Sequence, residues 1–317
     1  MKRVPAPTRS EIERGIAREL ELAGVQSAAV EARRLVAAAL DQAGGGYPGG
    51  EGHGEAGGAG KGRAETVTRQ AALELAKAVS RRLAGEPLQH IEGEAHFRTL
   101  RLVSDGRALI PRPETEQLVD HVSAWAKGRA ERNGRPDSAL EVGCGSGAVA
   151  ISLLREGLAR TVVALDVSPR AVSQARENAR RTLGAGAASL DLRVCPRDFW
   201  TALRPGDQFD FIVSNPPYVR SSEIPELPPE IRLHEPREAL DGGADGLAVI
   251  RRIVSRAGEF LAPGGALFIE IGGSQAAQAL EAIDRTPGLA GGRVEKDLAG
   301  HDRFALALRP AGNSQTP

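Results

Sequence analysis

The chain is poor in features that would tie it to several common classes of protein. It has two cysteines, Cys144 and Cys195, and no Cys-x-x-Cys pair. That argues against a disulfide scaffold or a structural zinc site and fits a reducing compartment. The six histidines show no metal-ligand spacing, so no metal is expected. No apolar run approaches the roughly 20 residues needed to span a bilayer. The first residues, "MKRVPAPTRSEIER", lack the apolar core of a signal peptide. A cytoplasmic protein with no membrane attachment is therefore expected. Charge of one sign is also missing, because 41 Lys and Arg residues balance 41 Asp and Glu residues. Proteins that chiefly grip a phosphate backbone carry a basic excess, so direct nucleic-acid binding is not expected. No internal repeat is visible.

What is present suffices for one large or two modest domains, with 41% apolar residues in 317. Residues 10 to 43 read as helix, with Ser10 as N-cap, Glu13 completing a capping box, and Ile12, Ile16 and Leu20 at helical spacing. Residues 44 to 62 are glycine-dominated, cannot bury a core, and read as a flexible insertion. Residues 64 to 84 return to a helical pattern. The expected organisation is a helical domain over 1–85, a hairpin-like connector over 86–114, a catalytic domain over 115–309 and a disordered tail over 310–317. In the connector, "FRTLRLVS" alternates like a strand and "DG" at 105–106 suggests the turn. From 138 onward strands alternate with helices, the signature of an α/β fold with a mostly parallel sheet covered on both faces. Strands are expected at 138–142, 161–167, 190–194, 209–214 and 266–271, with 303–308 closing the sheet. Helices are expected near 115–130, 147–156, 169–183, 245–261 and 274–284.

The first strand of that domain runs into "LEVGCGSGAVAISLL" through Gly143, Gly145 and Gly147. Glycines there let the backbone turn tightly and approach a ligand closely. The spacing is not that of a dinucleotide loop, because Ala148 stands where its third glycine would be. The acid before the loop, Glu141, would repel a pyrophosphate and suits a cationic ligand. S-adenosylmethionine carries an ammonium and a sulfonium and no phosphate. Asp166 ends the next strand, where a carboxylate can accept hydrogen bonds from both ribose hydroxyls. After the third strand, Asp198 can accept from an adenine amino group and Phe199 can stack on its ring.

The fourth strand ends in "NPPY". Pro216 and Pro217 lack N–H groups, have fixed φ and hold the residues before them extended. The tip therefore offers two rigid acceptors, the side-chain oxygen of Asn215 and the carbonyl of Pro216. Such a pair can hold both N–H bonds of a planar –NH2 group and leave its out-of-plane electrons facing a methyl donor. Tyr218 would form a flat wall beside that group. Adenine and glutamine both present a planar –NH2, so this chemistry alone leaves the two substrates open.

"NPPY" with "EVGCGSG" resembles the amino-methyltransferases of class I. "GEPLQHIEGEAHF" (85–97), "LIPRPETEQLV" (109–119) and "LHEPREALDGGADGL" (233–247) resemble the HemK/PrmC family of release factor glutamine methyltransferases. The resemblance covers about residues 10 to 309. It implies a class I S-adenosylmethionine-dependent methyltransferase, Rossmann-like, with a mostly parallel seven-stranded sheet and a small N-terminal helical domain. It implies methyl transfer from S-adenosylmethionine to the side-chain nitrogen of the glutamine in the Gly-Gly-Gln motif of peptide chain release factors. The family's cofactor positions fall on Gly143, Cys144, Gly145, Ser146, Gly147, Asp166, Asp198, Phe199 and Asn215. Its substrate positions fall on Asn215, Pro216, Pro217 and Tyr218, with Asn215 and Pro216 carrying catalysis. The family more often has Trp where Phe199 stands, which leaves Phe199 and Trp200 both open as the stacking residue. An adenine-N6 methyltransferase of DNA or RNA is the alternative. For "PRPETE" two roles are open: Arg112 and Glu114 closing over the cofactor, or a stiff linker with Thr115 capping the next helix.

Overall fold

Seven strands form one sheet, with a separate two-stranded hairpin. The computed structural model describes residues 7–42, 68–134 and 136–311. The glycine-rich stretch 44–62 and residues 312–317 of the tail lie outside them. The chain divides into two units, Met1–Glu92 and Gly93–Pro317.

The first unit holds α1 (Arg9–Leu22), α2 (Ala28–Gln42), α3 (Arg69–Leu83) and α4 (Leu88–Glu92). Ile16, Leu20, Leu35, Val36, Leu75 and Val79 close its core. The expected single helix over 10–43 is two helices, because the chain leaves α1 through Gly24 at φ +84°. The cap also differs. Thr8, not Ser10, takes the Glu11 backbone N–H, and Glu11 reaches back to complete the box. A buried ion pair between Arg82 and Glu31 (2.5 Å) joins α3 to α2.

The second unit opens with a hairpin of β1 (Glu94–Phe97) and β2 (Leu100–Val103). Its turn is Arg98-Thr99, not the "DG" pair, and Arg98 adopts φ +52°. That conformation is uncommon for a residue with a side chain. Here the Arg98 N–H donates to Glu116 (2.8 Å), and its guanidinium grips Glu156 and Asp120. Asn178 and Gln174 hold the other end of the hairpin through the N–H and C=O of Val103.

The helix α5 (Pro113–Asn133) follows. The sheet is then built from β3 (Ser138–Val142), α6 (Ala148–Arg155), β4 (Thr161–Asp166), α7 (Pro169–Leu183), β5 (Leu190–Val194) and β6 (Phe209–Ser214). It continues through α8 (Pro229–His234), α9 (Ala248–Phe260), β7 (Leu261–Glu270), α10 (Ala276–Asp284), β8 (Ala290–Lys296) and β9 (Asp302–Leu308). The strands β5, β4, β3, β6 and β7 pair in parallel. β9 enters antiparallel between β7 and β8. The strand period of two sorts the core. Phe211 and Val213 of β6 join Phe268 of β7 on one face, under α5 and α6, while Ile212, Leu267 and Ile269 pack under α9 and α10 on the other. Trp125 of α5 meets Phe211 and Phe268 edge-on at 5.7 and 5.9 Å.

Two strands depart from the sequence reading. β7 begins at Leu261, ahead of the expected 266, because Pro263, Gly264 and Gly265 are absorbed into an irregular start. β8 was not expected at all. Its sequence, "AGGRVEK", lacks an apolar alternation because the edge strand buries almost none of its side chains. It, and not β9, closes that side of the sheet.

Gly147 is the N-cap of α6 at φ +82°, and a Cβ there would sit 3.1 Å from the Cβ of Ala175 on α7. Both the conformation and the contact oppose a side chain. Gly147→Ala should therefore lower the unfolding free energy of the second unit by about 2 kcal/mol, read as an earlier denaturant midpoint.

Candidate active site

Parallel pairing brings the C-terminal ends of β3, β4, β5 and β6 to one rim, where open sheets bind ligands. A cavity of about 580 Å³ lies there, within the range of small-molecule sites. Of the residues singled out in the sequence, Gly143, Cys144, Gly145, Ser146, Asp166, Phe199, Asn215, Pro216 and Pro217 line it. Gly147 stands behind the loop as the helix cap. Asp198 is exposed beside the cavity and does not line it. Tyr218 is half-buried behind the tip.

Four N–H groups of the glycine loop are spent on the protein. Those of Gly143 and Cys144 both donate to the Leu165 carbonyl, at 2.8 and 3.0 Å. That of Gly147 donates to the Cys144 carbonyl, and that of Gly145 to Asp166 Oδ2 (2.8 Å). A phosphate cradle works the other way, with loop N–H groups free to point at the anion. Two carboxylates, those of Asp166 and Glu141, stand beside this loop. Asp166 Oδ1 takes the Ser168 N–H (2.9 Å), and Glu141 Oε2 takes the Ala150 N–H (3.0 Å). Burial raises both carboxyls, Glu141 well above the usual range, and a cationic ligand would relieve that cost. The structure also separates the two aromatic candidates. Phe199 faces the cavity, whereas Trp200 is stacked on Phe260 (4.8 Å, 11°) with its indole N–H given to the Arg252 carbonyl (2.8 Å). Burial pushes the Cys144 thiol well up and the Cys195 thiol to about 11, so both stay protonated and neither is an activated nucleophile.

The Asn-Pro-Pro-Tyr tip is braced from three sides. Ser214 Oγ donates to the Val142 carbonyl (2.6 Å), tying the end of β6 to that of β3. Asn215 Nδ2 donates to Thr115 Oγ1 (2.8 Å), and Thr115 Oγ1 donates to Glu270 Oε2 (2.7 Å). The Tyr218 hydroxyl donates to the other oxygen, Glu270 Oε1 (3.3 Å). Among the described residues no N–H donates to the carbonyls of Asn215, Pro216 or Pro217.

"LHEPREALDGGADGL" packs against the back of this tip. Val219 forms a parallel bridge with Asp241, and Gly242 donates to the Val219 carbonyl (2.8 Å). A Cβ on Gly242 would lie 2.8 Å from both the Pro217 carbonyl and the Tyr218 Cα. A Cβ on Gly246 would strike the Tyr218 carbonyl. The glycines of that motif thus permit a close backbone approach that no side chain allows. "PRPETE" joins from the opposite side. Arg112 pairs with the buried Glu235 (2.7 Å), and Thr115 lies inside α5 rather than capping it, since the N-cap position is Arg112. Of the two residues offered for closing over the cofactor, Arg112 lines the cavity and Glu114 does not, while sequence reasoning missed Phe97 as a lining residue and Glu270 altogether. The signal for Glu270 was present in "ALFIEI", an acid inside an otherwise apolar strand.

A glycine loop that ties four of its N–H groups to the protein, the carboxylates of Glu141 and Asp166 on adjacent strands and an aromatic wall, all on a seven-stranded sheet with one reversed strand, define a class I methyltransferase. The chain matches the family described as Methyltransferase small domain over residues 119–228. It is 40% identical to the release factor glutamine methyltransferase of Caulobacter vibrioides, over 73% of this chain and 76% of that protein. It is 37% identical to the one from Cereibacter sphaeroides, over 92% of this chain and 95% of that protein. With the Deinococcus radiodurans enzyme of the same name it shares 40% identity, over 74% and 79% of the two chains. The chain belongs to the release factor glutamine methyltransferase family.

S-adenosylmethionine is the methyl donor of this class, and the carboxylates of Glu141 and Asp166 in the cavity fit its positive charges. Calorimetric titration should find S-adenosylmethionine binding with a dissociation constant of about 100 µM or tighter. ADP and NAD+ should show no heat of binding at about 1 mM.

Proposed function

We propose that this chain methylates the side-chain amide nitrogen of the glutamine in the Gly-Gly-Gln motif of peptide chain release factors. The observation that carries the reading is the state of the tip. Asn215 spends its NH2 on Thr115 and keeps its oxygen, next to a Pro216 carbonyl that no described N–H satisfies. Two fixed acceptors at the cavity suit the two N–H bonds of a primary amide. Glu141, Asp166 and Phe199 would hold S-adenosylmethionine, which supplies an electrophilic methyl group when bound. Asn215 Oδ1 and the Pro216 carbonyl orient the substrate nitrogen so that its out-of-plane electrons face into the cavity. As positive charge grows on that nitrogen, the same two acceptors stabilise it, and the surplus proton leaves after transfer. The prolines hold this arrangement before substrate arrives, so little reorganisation opposes the reaction. Phe97 and Pro217 add apolar walls suited to the side chain's methylenes.

The family relationship and the balanced charge both favour a protein substrate over DNA or RNA. A cytoplasmic location follows from that substrate. No helix of the described residues is long and apolar enough to cross a membrane.

Incubation with tritiated S-adenosylmethionine and a bacterial release factor should label the wild-type factor and leave its Gly-Gly-Ala variant unlabelled. Equal label on both would disprove the assigned target. Asn215→Ala should lower kcat by roughly 100-fold or more while S-adenosylmethionine still binds.

A further inference from the structure

The three hydrogen bonds beneath Asn215 form a chain whose direction is fixed by proton count. A threonine hydroxyl has one proton to give. Thr115 gives its proton to Glu270 Oε2 at 2.7 Å, so the bond from Asn215 at 2.8 Å must bring a proton to Thr115. Only the NH2 end of the amide can do that, which leaves Oδ1 as the free end. The carboxylate at the bottom thus dictates which end of Asn215 is displayed at the top.

Adding one proton to Glu270 reverses the count. The proton belongs on Oε2, facing Thr115. On Oε1 it would displace the Tyr218 hydroxyl, which has no other acceptor among the described residues, whereas on Oε2 every donor keeps a partner. Thr115 would then accept from Glu270 and donate upward to Asn215. The amide would turn, showing its NH2 to the cavity. The Asn215 NH2 would then meet an N–H of the substrate amide, and with the Pro216 carbonyl as the one remaining acceptor the amide would not be held in place.

We propose that Thr115 and Glu270 are positioning residues that set the polarity of the Asn215 amide, the ionised carboxylate selecting the substrate-accepting orientation and the protonated one reversing it. This rests on the reading that Asn215 Oδ1 receives the substrate's N–H. The surroundings make the switch reachable near neutral pH. Burial is the largest influence on Glu270 and raises its carboxyl to about 7. Glu114 on α5 raises it further, while Thr115, Arg303 on β9 and Tyr218 lower it. Arg303 is itself held by Asp297 (3.1 Å), which dilutes its pull. Because the folded value lies above the ordinary glutamate value, the active orientation is full above that pH and is lost as pH falls through it.

The test uses the full chain with a release factor. Wild-type kcat should fall about tenfold per pH unit below the Glu270 midpoint, with KM for S-adenosylmethionine unchanged. Glu270→Gln should remove this acid limb and lower the plateau about tenfold or more. Thr115→Ser, which keeps the hydroxyl, should retain both limb and rate. Thr115→Val, which keeps the shape alone, should lose about tenfold or more in kcat. In cofactor-free wild-type protein, the Glu270 carboxyl carbon and the Asn215 side-chain amide should titrate in NMR with one midpoint. An Asn215 amide signal indifferent to Glu270 ionisation would overturn the proposal, even if the variants fail to fold. So would a Thr115→Val enzyme with wild-type kcat and pH profile. Full turnover by Asn215→Ala, with the shared titration intact, would instead defeat the substrate-holding role while leaving the relay standing.

Discussion

Parallel pairing of β3 with β4 on one side and β6 on the other is the constraint from which the site follows. Parallel strands all end at one edge, so the glycine loop, Asp166 and the Asn-Pro-Pro-Tyr tip are delivered to the same rim although up to 75 residues separate them. Each strand is buried on both faces, and the two apolar layers on either side fix its register to the residue. A slip of one position would turn Phe211 and Val213 to the wrong face and carry Asn215 away from Thr115.

Within that frame the site is rigid at the tip and carries the carboxylates of Glu141 and Asp166 beside the glycine loop. The prolines remove donors and fix dihedrals, while Gly242 and Gly246 let a second backbone press against Pro217 and Tyr218 without a side chain between them. The hairpin turn at Arg98, an unfavourable conformation, is held by three carboxylates and presents Phe97 to the cavity. Buried carboxylates cost stability unless partnered. Glu141, Asp166 and Glu270 each have hydrogen bonds, yet burial still leaves all three carboxyls raised. That combination is what a site for cationic chemistry requires: negative charge kept in a water-poor place, relieved when a positive ligand or a developing positive charge arrives.

The motifs that mark the family acquire distinct physical duties. "EVGCGSG" turns the chain and ties four of its loop N–H groups back to the protein. "NPPY" supplies fixed acceptors. "PRPETE" contributes Thr115, which carries the influence of Glu270 to Asn215, and Arg112, which pairs with the glutamate of "LHEPREAL".

The sequence by itself determined the reaction type, the parallel sheet and its rim, and the glycine-loop, Asp166 and Asn-Pro-Pro part of the cavity lining, because these depend on local signals: strand periodicity, glycine and proline positions, and acids at strand ends. It also carried the family, through motifs too specific to arise from composition. Only the tertiary structure decided the rest. Which of Phe199 and Trp200 faces the cavity depends on the Phe260 ring and the Arg252 carbonyl, both from α9. The edge strand β8 has no apolar pattern to read, since it borrows its order from β9. Thr115 looked like a helix cap and is instead a relay, because its partners Asn215 and Glu270 lie 100 and 155 residues away. Hydrogen-bond direction over such separations has no sequence signature. It emerges only when the sheet has brought the donors and acceptors together and the protons can be counted.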